Sequence, residues 1–98
     1  MISSMRISRS PWGRIELTDE RKRHVIFFHP EIASVLPHFS LTIAHPEKII
    51  HSTNDDKVII CYRFLPNRRK YLAIVIKLKP KSNFVLTAYL TRKIKQTP

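Results

Sequence analysis

The stretch that decides the fold is KVIICYRFLPNRRKYLAIVIKLKPKSNFVLTAYLTRKI, residues 57–94. Its side chains alternate with a period of two, which is typical of β-strands. It divides into three predicted strands, Lys57–Leu65, Lys70–Lys79 and Asn83–Thr91. Because the connections between them are short and each contains a proline, the stretch predicts an antiparallel meander.

Within these strands, one set of alternating positions is expected to face a core and the other set to face away from it. The expected core-facing residues are Val58, Ile60, Tyr62, Phe64, Leu72, Ile74, Ile76, Leu78, Phe84, Leu86, Ala88 and Leu90. The remaining positions predict a shared polar face that carries Arg63, Lys77, Thr87, Tyr89 and Thr91. This polar face is the predicted functional surface.

Upstream of the meander, the sequence predicts helices. Thr18 is a suitable N-cap for a helix that begins with acidic residues and runs to about Phe28, with Val25 and Phe28 facing inward. Pro30 ends that helix because proline lacks the backbone N–H that a continuing helix needs.

Two shorter helices and one strand complete the predicted order: Ile32–Leu36, Phe39–Ala44 and Glu47–Ser52. The pattern predicts an α+β fold, with N-terminal helices packed on one face of a four-stranded antiparallel β-meander. Residues 14–95 are expected to form a single domain that follows a flexible basic arm, residues 1–13, and precedes a tail, residues 96–98. Arg14–Leu17 is a candidate edge strand.

The charge is strongly one-sided. The net charge is +11, and the chain from Lys57 onward holds eleven Lys and Arg residues but no Asp or Glu. A field of this kind attracts polyanions, of which nucleic acid is the commonest in a cell, with an acidic protein or a membrane surface as the alternatives. The predicted nucleic-acid-binding residues are Arg68, Arg69, Tyr71, Thr91, Arg92 and Lys93.

Several classes of protein are disfavoured. No run approaches the roughly 18 apolar residues of a membrane-spanning helix, and a single cysteine, Cys61, favours a reducing, cytoplasmic location. One glycine cannot build a phosphate-binding loop, and the five histidines lack metal-ligand spacing, so neither a cofactor nor a metal is expected. Cys61 is expected beside Arg63, where cationic surroundings would lower its pKa, although a lone strand cysteine is most often a small apolar residue.

RNA cleavage is the chemistry that such a face can perform without a metal, because RNA supplies its own nucleophile, the 2′-hydroxyl. The sequence predicts His24 as general base or acid, and Arg63 and Lys77 as the phosphate clamp. Thr87 and Tyr89 are predicted as positioning hydrogen-bond donors. The alternative is that each is an ordinary strand or helix residue.

Four short segments, RHVI (23–26), HPE (29–31), PEKI (46–49) and LTAY (86–89), together with the paired strands, give the chain a family resemblance. It resembles phage members of the barnase–EndoU–colicin–RelE-like nuclease superfamily from about Arg14 to Lys95. The resemblance implies a small RNase-type domain with metal-independent activity, often a toxin or phage-associated effector. The matching polar positions are His24, Tyr62 or Arg63, and Thr87 with Tyr89.

Three functions are consistent with these observations. The first is a metal-independent endoribonuclease that acts as a toxin or phage-associated effector. The second is a non-catalytic nucleic-acid-binding module. The third is a basic protein that docks an acidic partner, such as an antitoxin or immunity protein. The oligomeric state is open, and the unpaired edge of a small sheet favours a weak homodimer.

Overall fold

The computed structural model describes residues 4–7 and 10–95, with side chains from residue 10 onward. Its helical elements are α1 (Asp19–Phe28), a 3₁₀ segment (Pro30–His38) and α2 (Phe39–Ala44). Its strands are β1 (Ser4–Ile7), β2 (Ile15–Thr18), β3 (Lys48–His51), β4 (Val58–Leu65), β5 (Lys70–Lys77) and β6 (Asn83–Thr91). The predicted α+β class is confirmed. The rest of the predicted arm, at residues 1–3 and 8–9, and the predicted tail lie outside the described residues.

The described strands form one mixed sheet in the order β1-β2-β6-β5-β4-β3. Strands β3 to β6 make the predicted antiparallel meander. The prediction that the sheet has four strands and is purely antiparallel is wrong, because β2 pairs in parallel with the start of β6, at Ile15 and Asn83, and β1 pairs with β2. The Asn83 amide reinforces this junction by donating to the Trp12 carbonyl oxygen at 2.9 Å. Part of the predicted arm therefore lies in the sheet, and β2 is an interior strand.

Helix α1 begins as its sequence predicts. The Thr18 hydroxyl accepts a hydrogen bond from the Arg21 backbone N–H at 3.2 Å, which satisfies one of the free donors of the first turn. Val25 points into the core and is 2% exposed. The expected inward position of Phe28 is wrong, since Phe28 is 61% exposed. Ile32 and Val35 of the 3₁₀ segment fill the core beside Val25 instead.

The helices cover one face of the sheet, here called the inner face, and enclose the main core. Each fully buried aliphatic side chain contributes about 1.5–3 kcal/mol. The core residues from the strands are Ile15, Leu17, Ile59, Cys61, Leu65, Leu72, Ile74, Ile76, Val85 and Ala88, and those from the helical elements are Val25, Ile32, Val35, Phe39 and Ile43.

The opposite face of the sheet, here called the outer face, carries a second, smaller apolar cluster. Its buried members are Ile50, Ile60, Tyr62 and Ala73, and Tyr71, Val75, Tyr89 and Ile94 pack against them. Ile94 reaches the cluster after a turn in which the Thr91 hydroxyl accepts a hydrogen bond from the Lys93 N–H at 3.3 Å. The outer face is therefore largely apolar rather than polar as predicted.

In two strands, β4 and β6, the residues that face the main core are not all the ones that were predicted to do so. In β4, Cys61 is paired with Ile74 and Tyr62 with Ala73, so the odd-numbered residues face inward and the even-numbered ones outward. In β6, an irregularity opposite Val75 and Ile76 shifts the register, and Val85 rather than Phe84 enters the main core. A register shift of this kind reverses the side-chain alternation on its far side.

Candidate nucleic-acid interface

The five predicted catalytic residues do not form one site. His24 is exposed on α1 and lines a cleft of about 590 Å³ together with the charged side chains of Glu16, Glu20 and Arg21. Arg63 lies on the inner side of β4, paired with Leu72, and its Nη1 donates to the His45 carbonyl oxygen at 2.8 Å. The prediction that Arg63 shares a face with Lys77, Thr87 and Tyr89 is therefore wrong.

Lys77, Thr87 and Tyr89 do share the outer face, since they pair with Val58, Val75 and Ala73 respectively. Lys77 is four positions along β5 from Ala73, the partner of Tyr89, which corresponds to about 13 Å at the rise of a strand. Its ammonium group also forms an ion pair with Asp55. Lys77 is thus held at the far end of the sheet.

Tyr89 lies in a partly apolar environment. Burial, and secondarily the neighbouring Tyr62 hydroxyl, raise the pKa of Tyr89 to about 12. The histidine beside it is His29, whose ring centroid lies 6.1 Å from that of Tyr89, and not His24. Sequence reasoning assigned His29 no role, although its position before the proline that ends α1 could have drawn attention to it.

Cys61 is fully buried in the main core rather than exposed on a cationic face. Burial raises the pKa of its thiol to about 12, because the apolar surroundings disfavour the thiolate. The expectation of a lowered pKa is therefore wrong. Cys61 acts as a small apolar core residue.

The predicted nucleic-acid-binding residues, in contrast, come together. Tyr71 at the start of β5 pairs with Thr91 at the end of β6. The turn before β5 and the chain after β6 therefore meet at one end of the sheet. The basic residues gathered there, here called the basic end, are Arg68, Arg69, Lys70, Arg92 and Lys93.

The turn that builds the basic end depends on an unusual backbone conformation. Its hydrogen bonds run from the Arg68 N–H to the Leu65 carbonyl at 3.0 Å and from the Arg69 N–H to the Pro66 carbonyl at 3.2 Å. Arg69 has a φ of 54°, in the left-handed region that residues other than glycine rarely adopt. This conformation closes the hairpin so that Leu65 pairs with Lys70. Both arginine side chains of the turn are exposed.

Two aromatic side chains adjoin the basic end on the outer face. Phe64 is 38% exposed, and its ring lies 5.2 Å from that of Tyr71 at an interplanar angle of 67°. Phe64 and Tyr71 are here called the aromatic platform. Sequence reasoning missed Phe64 because it placed the even-numbered residues of β4 in the core.

A cleft of about 520 Å³, here called the polar cleft, opens beside the same end of the sheet. Its polar lining residues are His38, Glu47, Arg63, Asn67 and Arg68. Backbone and side-chain contacts hold three of them in place: Glu47 Oε2 accepts from the Phe64 N–H at 3.2 Å, Arg68 Nη2 donates to the Ser34 hydroxyl at 2.6 Å, and Arg63 is bound to His45. The arrangement combines an imidazole, a carboxylate and two guanidinium groups. Sequence reasoning assigned no role to His38 or Glu47.

Across residues 10–95, no group of three or more His, Cys, Asp or Glu side chains is arranged to hold a metal ion. None of the helices in the described part of the chain has the length and apolar character needed to cross a membrane. Comparisons with known protein families, with curated proteins and with solved structures give no match.

Proposed function

We propose that this protein binds single-stranded RNA across the basic end and the aromatic platform. The observation that carries the proposal is the pairing of Tyr71 with Thr91, which gathers four exposed cations beside exposed Phe64. Cations of this kind neutralise phosphates, and aromatic rings stack on bases that are not paired in a duplex. The proposed target is cytoplasmic RNA.

The balance of forces favours a single strand over a duplex. Each base stacked on an aromatic ring contributes about 1–3 kcal/mol, and this contact requires an unstacked base. Phe64 and Tyr71 lie on the surface of a sheet rather than on a helix that fits a groove. The platform therefore supports recognition of splayed bases, with the cations following the backbone.

Metal-independent cleavage of the bound RNA is the second function that we propose, and the residues lining the polar cleft favour it. Glu47 would accept the proton of the 2′-hydroxyl as that oxygen attacks the phosphorus. His38 would protonate the departing 5′-oxygen, and Arg63 and Arg68 would neutralise the phosphorane. The products are a 2′,3′-cyclic phosphate and a free 5′-hydroxyl, so every proton is accounted for.

The family resemblance supports the same activity. It implies a RelE- or barnase-like arrangement of helices on a meander, and we propose that the described helices and strands are a variant of it. In this proposal, residues of the polar cleft take the catalytic roles that the sequence predicted for His24, Lys77, Thr87 and Tyr89. Those four side chains do not line the polar cleft. A toxin or effector role follows if the cleaved RNA is essential to the cell.

RNA binding is tested by fluorescence anisotropy with a short labelled single strand of mixed sequence. Phe64→Ala is expected to weaken binding by about 1–3 kcal/mol, the contribution of one stacked base. Arg92→Gln is expected to weaken it as well, whereas Arg14→Gln is the matched control, because Arg14 is also exposed but lies at the opposite end of the sheet. Equal effects of the two arginine substitutions would contradict the proposed interface.

Cleavage is tested separately, by incubating the same RNA with the protein in EDTA and analysing the ends. Glu47→Gln and His38→Gln are each expected to lower the cleavage rate by about 10²–10⁴-fold, the usual contribution of a general acid or base. His24→Gln is the control and should leave the rate unchanged. Binding without cyclic-phosphate ends would leave the binding function alone, and growth arrest on expression, lost in Glu47→Gln, would indicate a toxin.

A further inference from the structure

Helix α1 carries two neighbouring phenylalanine side chains that face solvent. Phe27 is 77% exposed and Phe28 is 61% exposed, and their rings meet edge to face at 5.0 Å. A single exposed apolar residue is ordinary on a protein surface. Two contiguous aromatic rings on one helix are the kind of apolar patch that marks an interaction site.

The same side of the helix continues with charged and titratable groups one turn earlier. Arg23 and His24 are both exposed, and the His24 ring lies 4.9 Å from the Phe28 ring. Residues four apart on a helix are neighbours, so Arg23 adjoins Phe27 and His24 adjoins Phe28. Arg23 forms no ion pair within residues 10–95, whereas Lys22 is paired with Asp19 at 3.5 Å. These four residues, Arg23, His24, Phe27 and Phe28, are here called the α1 surface.

The charge of the α1 surface argues against a second copy of this chain as its occupant. In an antiparallel two-fold pair of α1 helices, the middle turns cross, and Arg23 would then face a like charge. Each copy also carries a net charge of +11. Like charges placed opposite each other in an interface destabilise it.

RNA is also a poorer fit here than at the basic end. The α1 surface has one fixed cation, Arg23, whereas the basic end has four that are exposed. Two of its four side chains are exposed aromatic rings, Phe27 and Phe28. A protein helix with an apolar stripe and flanking carboxylates matches both properties.

We propose that the α1 surface docks an acidic amphipathic helix from another protein. Apolar side chains at successive turns of that helix pack on Phe27 and Phe28. A carboxylate beside the stripe pairs with Arg23, the cation that forms no ion pair among residues 10–95. The surface is separate from the polar cleft and from the aromatic platform, so the inference does not depend on RNA binding.

The test uses two designed helical peptides with the same leucine stripe, one with glutamate and one with lysine at the polar positions. Binding to the full chain is measured by anisotropy, and the contact surface is mapped by NMR on isotope-labelled protein. The glutamate peptide is expected to bind, with shift changes centred on α1, and the lysine peptide to bind at least about tenfold more weakly. Equal binding of the two peptides would overturn the proposal.

Substitutions in the α1 surface test whether the glutamate peptide binds there. The double variant Phe27→Ser, Phe28→Ser is expected to weaken binding of the glutamate peptide by about tenfold or more, and Arg23→Glu to reverse the preference between peptides. Because all three side chains are exposed, each variant should keep the melting temperature of the wild type. Phe64→Ala and Arg92→Gln should leave peptide binding intact, which separates this test from that of RNA binding.

Three results would overturn the inference: unchanged peptide affinity in the double phenylalanine variant, shift changes centred outside α1, or a loss of RNA affinity in that variant without a loss of peptide affinity. The last would assign the phenylalanines to RNA. Failure of RNA binding in the wild type, with peptide binding retained, would reject the proposed function and leave the docking surface in place.

Discussion

The Lys77 ammonium group donates a hydrogen bond to the Asp55 carboxylate and so ties the outer face of β5 to the turn before β4. The other carboxylate oxygen of Asp55 accepts from the Lys57 N–H at 2.9 Å. The bond from Lys77 first, and then that from Lys57, lower the pKa of Asp55 below its ordinary value. Lys77 therefore acts as a structural cation of the turn.

This pair predicts a stability contribution that depends on pH. The folded-state pKa of Asp55 lies below the ordinary value of 3.8, so the contribution is complete above that value and disappears as the pH falls through the folded-state pKa. Thermal unfolding should therefore separate wild type from Lys77→Met at neutral pH, and the difference should shrink in strong acid. NMR titration should show the Asp55 pKa rising in the variant. Lys81→Met, at an exposed lysine near the same end of β5, is the control, and an equal difference at both pH values would contradict the assignment.

Replacing Tyr62 by phenylalanine is expected not to destabilise the protein. The Tyr62 hydroxyl is buried beside that of Tyr89, but it forms no hydrogen bond of good geometry with any described residue. Leaving such a group unsatisfied costs about 1–3 kcal/mol, so Tyr62→Phe should leave the free energy of unfolding unchanged or raise it by about 1 kcal/mol. Denaturant titration measures this.

The Tyr62→Phe variant also tests why the pKa of Tyr89 is raised. Because Tyr62 contributes to the raised pKa of Tyr89, ultraviolet titration of Tyr62→Phe should show that pKa falling from about 12, with burial keeping it above the ordinary value. Tyr71→Phe is the control for the loss of a phenol at a more exposed site. A clear destabilisation by Tyr62→Phe would mean that the two hydroxyls are hydrogen-bonded in solution.

The basic end predicts the salt dependence of RNA binding. For a single strand, each phosphate neutralised contributes about −0.7 to the slope of log K against log salt concentration. Arg68→Gln and Arg92→Gln should each reduce the slope by about this amount, and the double variant by about twice as much. Arg14→Gln should leave the slope unchanged. A weakened affinity with an unchanged slope would show that the arginines do not contact phosphate.

The junction of β2 and α1 predicts a measurable capping effect. Thr18→Ala removes the hydroxyl that accepts from the Arg21 N–H and should lower the free energy of unfolding by about 1 kcal/mol. In a domain of this size that corresponds to a fall in melting temperature of about 4–8 °C. Thr53→Ala, at an exposed position in the turn after β3, should have little effect and serves as the control.

The local features of the fold could be predicted from the sequence because each has its own signal. Thr18 with its following acids gives the start of α1, and the alternation in β5 gives an inner face of Leu72, Ile74 and Ile76. The bounds of β6 were also predicted as observed. In each case the information lies within a few neighbouring residues.

The face on which Arg63 lies could not be predicted in the same way. Strand β4 is apolar on both sides, with Cys61 in one cluster and Tyr62 in the other. Its sequence therefore does not show whether the odd-numbered or the even-numbered residues face the helices. The register shift in β6 reverses the parity of Val85, and no residue type marks it. Arg63 left the predicted catalytic group because its face depends on the parity of β4, whereas Thr87 and Tyr89 keep the predicted face and the basic end depended only on which strand ends meet.

The parallel pairing of Ile15 with Asn83 joins segments from opposite ends of the chain. While the protein is being made on a ribosome, β2 has to wait until almost the whole meander has emerged before it finds its place beside β6. Until then the hydrogen-bonding groups on its β6 side and its apolar side chains, Ile15 and Leu17, remain available to other molecules. Nascent chains arrested before residue 83 should therefore be the ones that most need a chaperone.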